Sequence, residues 1–279
     1  MAVHLSIAKS AYAGNAPDET YRVLPCRPTV SCTADLVPPG TLEIEVGYLA
    51  RRAPPRGWVH SEPVLLKLTL VEWLQIQVGG SGHVFTTGEV SRSLRYLDDI
   101  SFGPKIHFHD QTLFEPSLAV SASLNVPSWD RQSEFPFAYD ASFWVYASKD
   151  ISAFHIDLNG GLNVWQFDFA PSWQEFVTLA SSVALPAGLG AMLETYYFTH
   201  AGAIAPRDGG LLMAMSWSPH AWLMFDAGGD IGMFPSTRSF SLFAGMTIIP
   251  YDFWDTQREA TRRAERNVIS RRSYIPTRS

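Results

Sequence analysis

Short runs in which apolar and polar residues alternate with period two fill most of this chain, and that period is the tightest constraint on its fold. The stretch "LKLTLVEWLQIQVGGSG" (66–82) has it in simple form. Leu66, Leu68 and Leu70 alternate with Lys67 and Thr69, and Leu74, Ile76 and Val78 alternate with Gln75 and Gln77. A three-residue hairpin loop at 71–73 sets Leu70 opposite Leu74, Leu68 opposite Ile76 and Lys67 opposite Gln77, so one face is wholly aliphatic. That face turns either into a protein core or out to lipid. Period alone leaves both a β-sandwich and a barrel open.

Nothing in the chain reaches the roughly 18 uninterrupted apolar residues of a spanning helix. The nearest stretch, 180–198, is broken by Pro186, Gly188, Gly190 and Glu194. The membrane option that survives is a closed barrel, whose segments are too short and too alternating to register as hydrophobic stretches. Composition agrees: 46% of residues are hydrophobic and only 17% charged, against about 25% in ordinary globular chains.

Twelve alternating segments can be read, at about 42–51, 61–70, 74–82, 98–109, 113–125, 137–148, 152–164, 173–185, 189–200, 209–217, 221–231 and 238–249. Their connections decide between the two folds. After even-numbered segments they are short (71–73, 110–112, 149–151, 186–188, 218–220), and after odd-numbered ones longer (52–60, 83–97, 127–136, 165–171, 202–209). Tight periplasmic turns, long extracellular loops and an even strand number describe a bacterial outer-membrane barrel, and a Greek-key sandwich has no reason to keep that alternation. Trp58, Trp73, Phe85, Trp129, Trp144, Trp165, Phe167, Phe169, Trp173, Trp217 and Trp222 fall mostly near segment ends, where aromatic girdles sit. The expectation is a single antiparallel transmembrane β-barrel of about 12 strands, spanning 41–250, with an N-terminal leader at 1–40 and a basic tail at 251–279.

With the apolar side on lipid, the lumen receives Glu43, Glu45, Lys67, Gln75, Gln77, Asp99, Lys105, His107, His109, Asp140, His155, Asp157, Asn159, Asn163, Glu194, Asp226 and Asp230. Eight are carboxylates and two lysines, so an open lumen would favour cations. Trp144, Tyr146, Tyr196 and Phe198 share the inward parity, which suits a narrow passage for small amphipathic solutes or simply a packed interior. Net charge is −6, which argues against nucleic acid as a partner; the arginines of the last 25 residues, from Arg258 to Arg278, read as a solvated face.

Enzyme motifs are missing: there is no Gly-x-Ser-x-Gly, His-Glu-x-x-His, phosphate loop or Cys-x-x-Cys, and "GGSG" at 79–82 reads as a strand end. His107 and His109 share a strand face and with His155 or Asp157 could hold a metal, but without ligand spacing they read as polar lining. No cofactor is called for. A lipid hydrolase would need Ser and His together on the lipid side, whereas His107, His109, His155 and His200 all fall on the polar face. Cys26 and Cys32 precede the first strand; in an oxidising periplasm they would close a small loop, a strap at the barrel mouth, and otherwise they are two free thiols in a leader.

"RPTVSCTADLVPPGTLEIEVGY" (27–48), the hairpin at 66–82, "LDDISFGPKIHF" (97–108) and "LAVSASLNVPS" (118–128) resemble the proteobacterial outer-membrane proteins of the MetA-pathway-of-phenol-degradation family, over about 27–250. The resemblance implies a transporter-like barrel passing small hydrophobic or aromatic compounds, surrounded by outer-membrane lipid and lipopolysaccharide. Two features depart from the pattern. About 30 residues follow the last strand, with Phe253 and Trp254 standing in for a terminal aromatic, and "MAVHLSIAKSAYAG" has a cleavage-like Ala11-Tyr12-Ala13 without a basic n-region, so a signal is expected upstream or partly trimmed. The expected function is passive passage of small molecules across the outer membrane. The competing reading is a structural or adhesive barrel whose loops 52–60 and 83–97 carry the function.

Overall fold

The computed structural model describes residues 22–27, 29–53, 55–90, 95–126, 140–167, 170–200, 207–234 and 240–253. Its strands are β1 (Thr41–Ala53), β2 (Pro55–Ser61), β3 (Val64–Val71), β4 (Leu74–Gly80), β5 (His83–Val90), β6 (Arg95–Leu97) and β7 (Ile100–His109). They continue as β8 (Ser117–Val126), β9 (Asp140–Ile151), β10 (Phe154–Phe167), β11 (Ala170–Ala184), β12 (Leu189–Phe198), β13 (Asp208–His220), β14 (Leu223–Gly232) and β15 (Phe240–Asp252). Every pairing is antiparallel, and β15 returns to β1, from Thr41↔Asp252 to Arg51↔Ser241, so the sheet closes.

Three of the barrel's strands are each made of two segments. β3 and β2 lie end to end along β1, with Val46↔Val64 in one half and Leu49↔Ser61 in the other, and β4 with β5 and β7 with β6 continue the pattern. The breaks have local causes. Pro63 has no N–H for the ladder, and Gly82 sits at φ 64, outside the strand region. Counted this way, the fold is the closed barrel of twelve antiparallel strands that the alternation calls for. Closure leaves no open sheet edge, which is the condition for strands to cross hydrocarbon.

The first hairpin keeps most of its expected register. Leu68 faces Ile76 and Lys67 faces Gln77, but Val71, not Leu70, faces Leu74, because a shift after Thr69 tightens the turn to Glu72 and Trp73. Other boundaries move for physical reasons. The loops expected at 52–60, 83–97 and 165–171 are largely strand: β1 and β2 pair down to Ala53↔Gly57, β5 and β6 pair beyond the break, and β10 and β11 pair to Phe167↔Ala170. A hairpin that leaves the membrane keeps its ladder although its aliphatic face stops. The segment expected at 113–125 begins only at Ser117, after Pro116, so 110–116 is a seven-residue turn. The short turns expected at 149–151 and 218–220 fall instead at 152–153 and 221–222. The stretch 127–136, Trp129, Phe169, most of 202–209 and the tail beyond Phe253 lie outside the described residues.

Burial runs opposite to that of a water-soluble protein. Phe108, Val145 and Met213 are 58%, 55% and 52% exposed on the outside, while Glu43, Glu45 and Glu194 are 0% exposed and Lys105 2%. The aliphatic face therefore points outward and the charges inward, as lipid outside and polarity inside require.

Candidate functional site

What buries those charges is the chain's own N-terminal segment. Residues 22–40 precede β1 and occupy the lumen, where inward side chains of eight strands hold them, most through backbone groups. Nothing periodic marks this stretch. Pro25, Pro38 and Pro39 prevent continuous pairing, so its free N–H and C=O groups need side-chain partners.

Three acceptors take the donors of the rising limb and bend. Glu43 accepts from Leu24 N at 3.3 Å, and Glu45 accepts from Cys26 N at 3.0 Å and Arg27 N at 2.9 Å. Lys67, cross-strand from Glu43, bridges both carboxylates at 2.9 and 2.6 Å and donates to Leu24 O at 2.6 Å. Across the lumen on β12, Glu194 accepts Val30 N at 2.8 Å, Ser31 N at 2.7 Å and Ser31 Oγ at 2.6 Å. Such charge-assisted bonds, shielded from water, are worth about 1.5–3 kcal/mol each.

The returning limb is held on β7 to β10. Cys32 N donates to Asn159 Oδ1 at 2.7 Å, and Ala34 N donates to Ser148 Oγ at 2.6 Å. Lys105 donates to Thr33 O, His107 Nδ1 lies 3.2 Å from Ala34 O, and the Ser117 hydroxyl donates to Asp35. A disulfide joins Cys26 to Cys32 and closes the bend between the limbs. It sits inside the barrel, not as a strap at its mouth.

Arg27 is seated by two glycines. Gly47 on β1 and Gly245 on β15 face each other across the closing seam, and a Cβ on either would lie 1.5 Å or 2.4 Å from Arg27 Nη1. Asp226, in register with Gly245, is buried in the same row, and among the described residues neither of its oxygens has a hydrogen-bond partner, nor has Arg27 Nη1. Here the segment's seat is incomplete.

Between the plug and the wall of β10 to β14, toward the short turns, lies a cavity of about 950 Å³. One side is apolar, with Leu24, Met192, Ala214 and Met224; the other carries Asp35, Asp150, His155 and Asp157. His155 is clamped between carboxylates, Nδ1 2.7 Å from Asp150 and Nε2 3.2 Å from Asp157. Asp157 also accepts from Ser148 at 2.5 Å, which ties the cluster to the plug. In the other half of the lumen an aromatic arc crosses β9, β11 and β12. Trp144 and Phe176 are 4.1 Å apart, Phe176 and Phe198 5.3 Å, and Tyr196 and Phe198 6.0 Å. Gly161, between Trp144 and Phe176 in the register, leaves room for the Phe176 ring.

The remaining residues named from the sequence are more scattered. Gln75 donates to Thr69 at 3.0 Å and Gln77 to Gln75 at 2.8 Å on the inner wall, and Asp230 accepts from Tyr196 at 3.0 Å and Ser241 at 3.2 Å. Asn163 accepts from Ser142 at 2.8 Å. Asp99 lies in the break before β7 and Asp140 at the start of β9, at its long-loop end. His107 and His109 turn to Asp110 at 2.9 Å and Glu115 at 3.2 Å near the 110–116 turn, and among the described residues no group of three or more His, Cys, Asp or Glu side chains is arranged to hold a metal ion. Ser117, Ser148, Ser31 and Arg27, all part of the plug's seat, have no sequence signal of their own; Gly47 and Gly245, which interrupt inward-facing rows, were the legible trace of Arg27.

The sequence matches no protein-family model and no curated protein. The fold is similar to the crystal structure of the COG4313 outer membrane channel from Pseudomonas putida F1, at 11% identity and a TM-score of 0.57, covering 77% of this chain and 97% of that one. A loop-deletion mutant of OmpT, an outer membrane protein of Vibrio cholerae, matches at 8% identity and a TM-score of 0.39, covering 74% of this chain and 97% of that one. The chain thus has the fold of a bacterial outer-membrane β-barrel.

Proposed function

We propose that this barrel is a gated outer-membrane channel for small amphipathic molecules, hydrophobic or aromatic in part, closed in this state by its own residues 22–40. The observation that carries the reading is that Glu194, fully buried, accepts only from Val30 and Ser31 of the plug among the described residues, and that Glu45, fully buried, accepts two plug backbone N–H groups beside its ion pair with Lys67. A wall built only for rigidity has no need to address a removable segment in this way. The aromatic arc on one side of the plug and the half-apolar cavity on the other support a solute with both a ring or chain and a polar end. The structural neighbour described as a channel supports transport, and the resemblance to the phenol-degradation family supports the aromatic class.

The test is conductance in planar bilayers for the wild type and for Glu45→Gln/Glu194→Gln, each with and without reductant to open the disulfide. Rare openings in the wild type and frequent ones in the variant, with a reversal potential favouring cations, are expected, because a vacated lumen presents eight carboxylates in the wild type, and still six in the variant, against two lysines. Silence in every condition, with folded protein, would leave the structural or adhesive barrel as the better account.

A further inference from the structure

We propose that the outer surface of the β1–β2–β5–β6 sector binds the phosphorylated headgroup of lipopolysaccharide. The proposal rests on the membrane-barrel fold and is independent of whether the lumen conducts. The short turns mark the periplasmic end, so the long paired hairpins of this sector rise through the outer leaflet.

Going outward along the sector's lipid face, three layers follow one another. The first is aliphatic: Val64, Leu66, Val78, Ile100 and Phe102 are exposed there. The second is a stack of rings across three strands, Tyr48 to His60 at 5.7 Å, His60 to Phe85 at 4.7 Å and Phe85 to His83 at 5.3 Å. Hydrogen bonds fix it, since Tyr48 Oη meets His60 Nδ1 at 2.5 Å and His60 Nε2 meets Thr87 Oγ1 at 2.8 Å. The third is basic. Arg95 lies in the row of Phe85, Arg52 lies one row above with its guanidinium 5.7 Å over the Trp58 ring, and Arg56 lies one row further out.

Rings with a polar edge suit the boundary between acyl chains and headgroups, and arginine forks match phosphate oxygens. The cross-strand neighbours of Arg52 and Arg95 are Trp58 and Phe85, and the Arg52 charge stands over its ring. Among the described residues the exposed carboxylates nearby are Glu62, in the break between β2 and β3, and Glu89, which faces Arg56, while Asp98 and Asp99, half-buried beyond β6, have contacts of their own. Arg52 and Arg95 are therefore the pair left to meet lipid phosphate at ring level. An aliphatic band followed by a ring shelf that carries one arginine in its own row and another one row above matches acyl chains followed by a sugar layer that carries its phosphates.

The test uses the full chain, folded in detergent and checked by the shift of its band on heating, titrated with fluorescent rough lipopolysaccharide. Arg52→Gln/Arg95→Gln should weaken binding about thirtyfold, and either single change about fivefold, more at low salt than at high. The single variants carry the test if the double variant does not fold. Lys149→Gln, at the opposite rim, should leave the affinity unchanged. Enzymatic removal of the lipid phosphates should match the double variant. Equal affinity of wild type and the folded arginine variants would overturn the site, and so would equal competition by phosphatidylglycerol vesicles or by inorganic phosphate, because the assignment is to the phosphorylated glycolipid.

Discussion

Replacing Glu194 by Gln tests the plug directly. The carboxylate accepts three hydrogen bonds from Val30 and Ser31, all at or below 2.8 Å, from a position with no exposure to water. Gln keeps one acceptor oxygen of two and no charge, so about one charge-assisted bond is lost, the others weaken to neutral strength, and an amide N–H is turned toward donors. At about 1.5–3 kcal/mol for a charged bond against about 1 for a neutral one, the docked segment should lose about 2–4 kcal/mol. The barrel should lose little, because none of these three bonds joins two strands. Undocking should then be favoured by a factor of about 30 to 1,000. Hydrogen–deuterium exchange read by mass spectrometry on peptides covering 26–34 gives that factor as faster exchange, with peptides from β10 and β11 as internal reference. Unchanged exchange at 26–34 with a folded barrel would refute the argument, since it would mean that the segment is held by packing alone. Equal acceleration in β10 and β11 would refute it differently, by showing that plug and wall unfold as one unit.

Two further perturbations address the seat and the outer face. Gly47→Val should expel Arg27, because a Cβ there overlaps its guanidinium, and should speed exchange at 26–34; Arg27→Ala in the same chain should restore part of the protection, and failure to restore it would place the clash elsewhere. Leu193→Arg and Met192→Arg change neighbours that point to opposite sides, the first to lipid and the second into the cavity, so denaturant titration in vesicles should give a loss of about 2–4 kcal/mol for the first near the bilayer midplane and clearly less for the second, with the reverse ranking excluding a lipid-facing exterior.

The barrel was legible because one physical rule is repeated in every strand. A residue that alternates Phe102, Ile106 and Phe108 with Lys105 and His107 can satisfy lipid and lumen in only one orientation, and a slip of one position would exchange the two sides. The limits of the strands were less legible. Above the membrane the ladder of β1 and β2 continues through Arg51↔Val59 and Arg52↔Trp58 without an aliphatic face, so the pattern stops before the strand does. At the other end Leu113 and Phe114 imitate the start of a strand, but Pro116 bars the pairing and both side chains stand exposed. Of the plug, the Cys26–Cys32 loop and the glycines facing Arg27 were legible, but its docking in the lumen was not. Its partners are distant along the chain, Ser31 from Glu194 by 163 residues and Cys32 from Asn159 by 127, and contacts of that range between aperiodic backbone and single side chains leave no local signature. The inward polar list contained its receptors, Glu43, Glu45, Lys67, Lys105, Asn159 and Glu194, without containing what they receive.

On the proposed gated-channel reading, the placement of those receptors also constrains how the lumen could open. With both carboxylates ionised, Lys67 between Glu43 and Glu45 leaves one net negative charge in a site closed to solvent, and the backbone donors of Leu24, Cys26 and Arg27 are what stabilise it. Withdrawing the segment into a dry lumen would strand that charge, and Glu194 with it, at a cost of several kcal/mol for each. Undocking is therefore possible only as an exchange, in which water or the polar end of a solute takes over the acceptors as the segment gives them up. The incomplete seat around Arg27 and Asp226, and the cavity that reaches Leu24 and Pro25, are two places where such a replacement can begin without first breaking a hydrogen bond. A solute entering from the cavity meets the rising limb at Leu24 before it meets Glu194, so the Glu43–Lys67–Glu45 cluster should yield first and the Ser31 contacts last. Exchange at 24–27 should accordingly precede exchange at 30–31 when solute is added, and simultaneous loss of both would mean that the segment leaves as a rigid body.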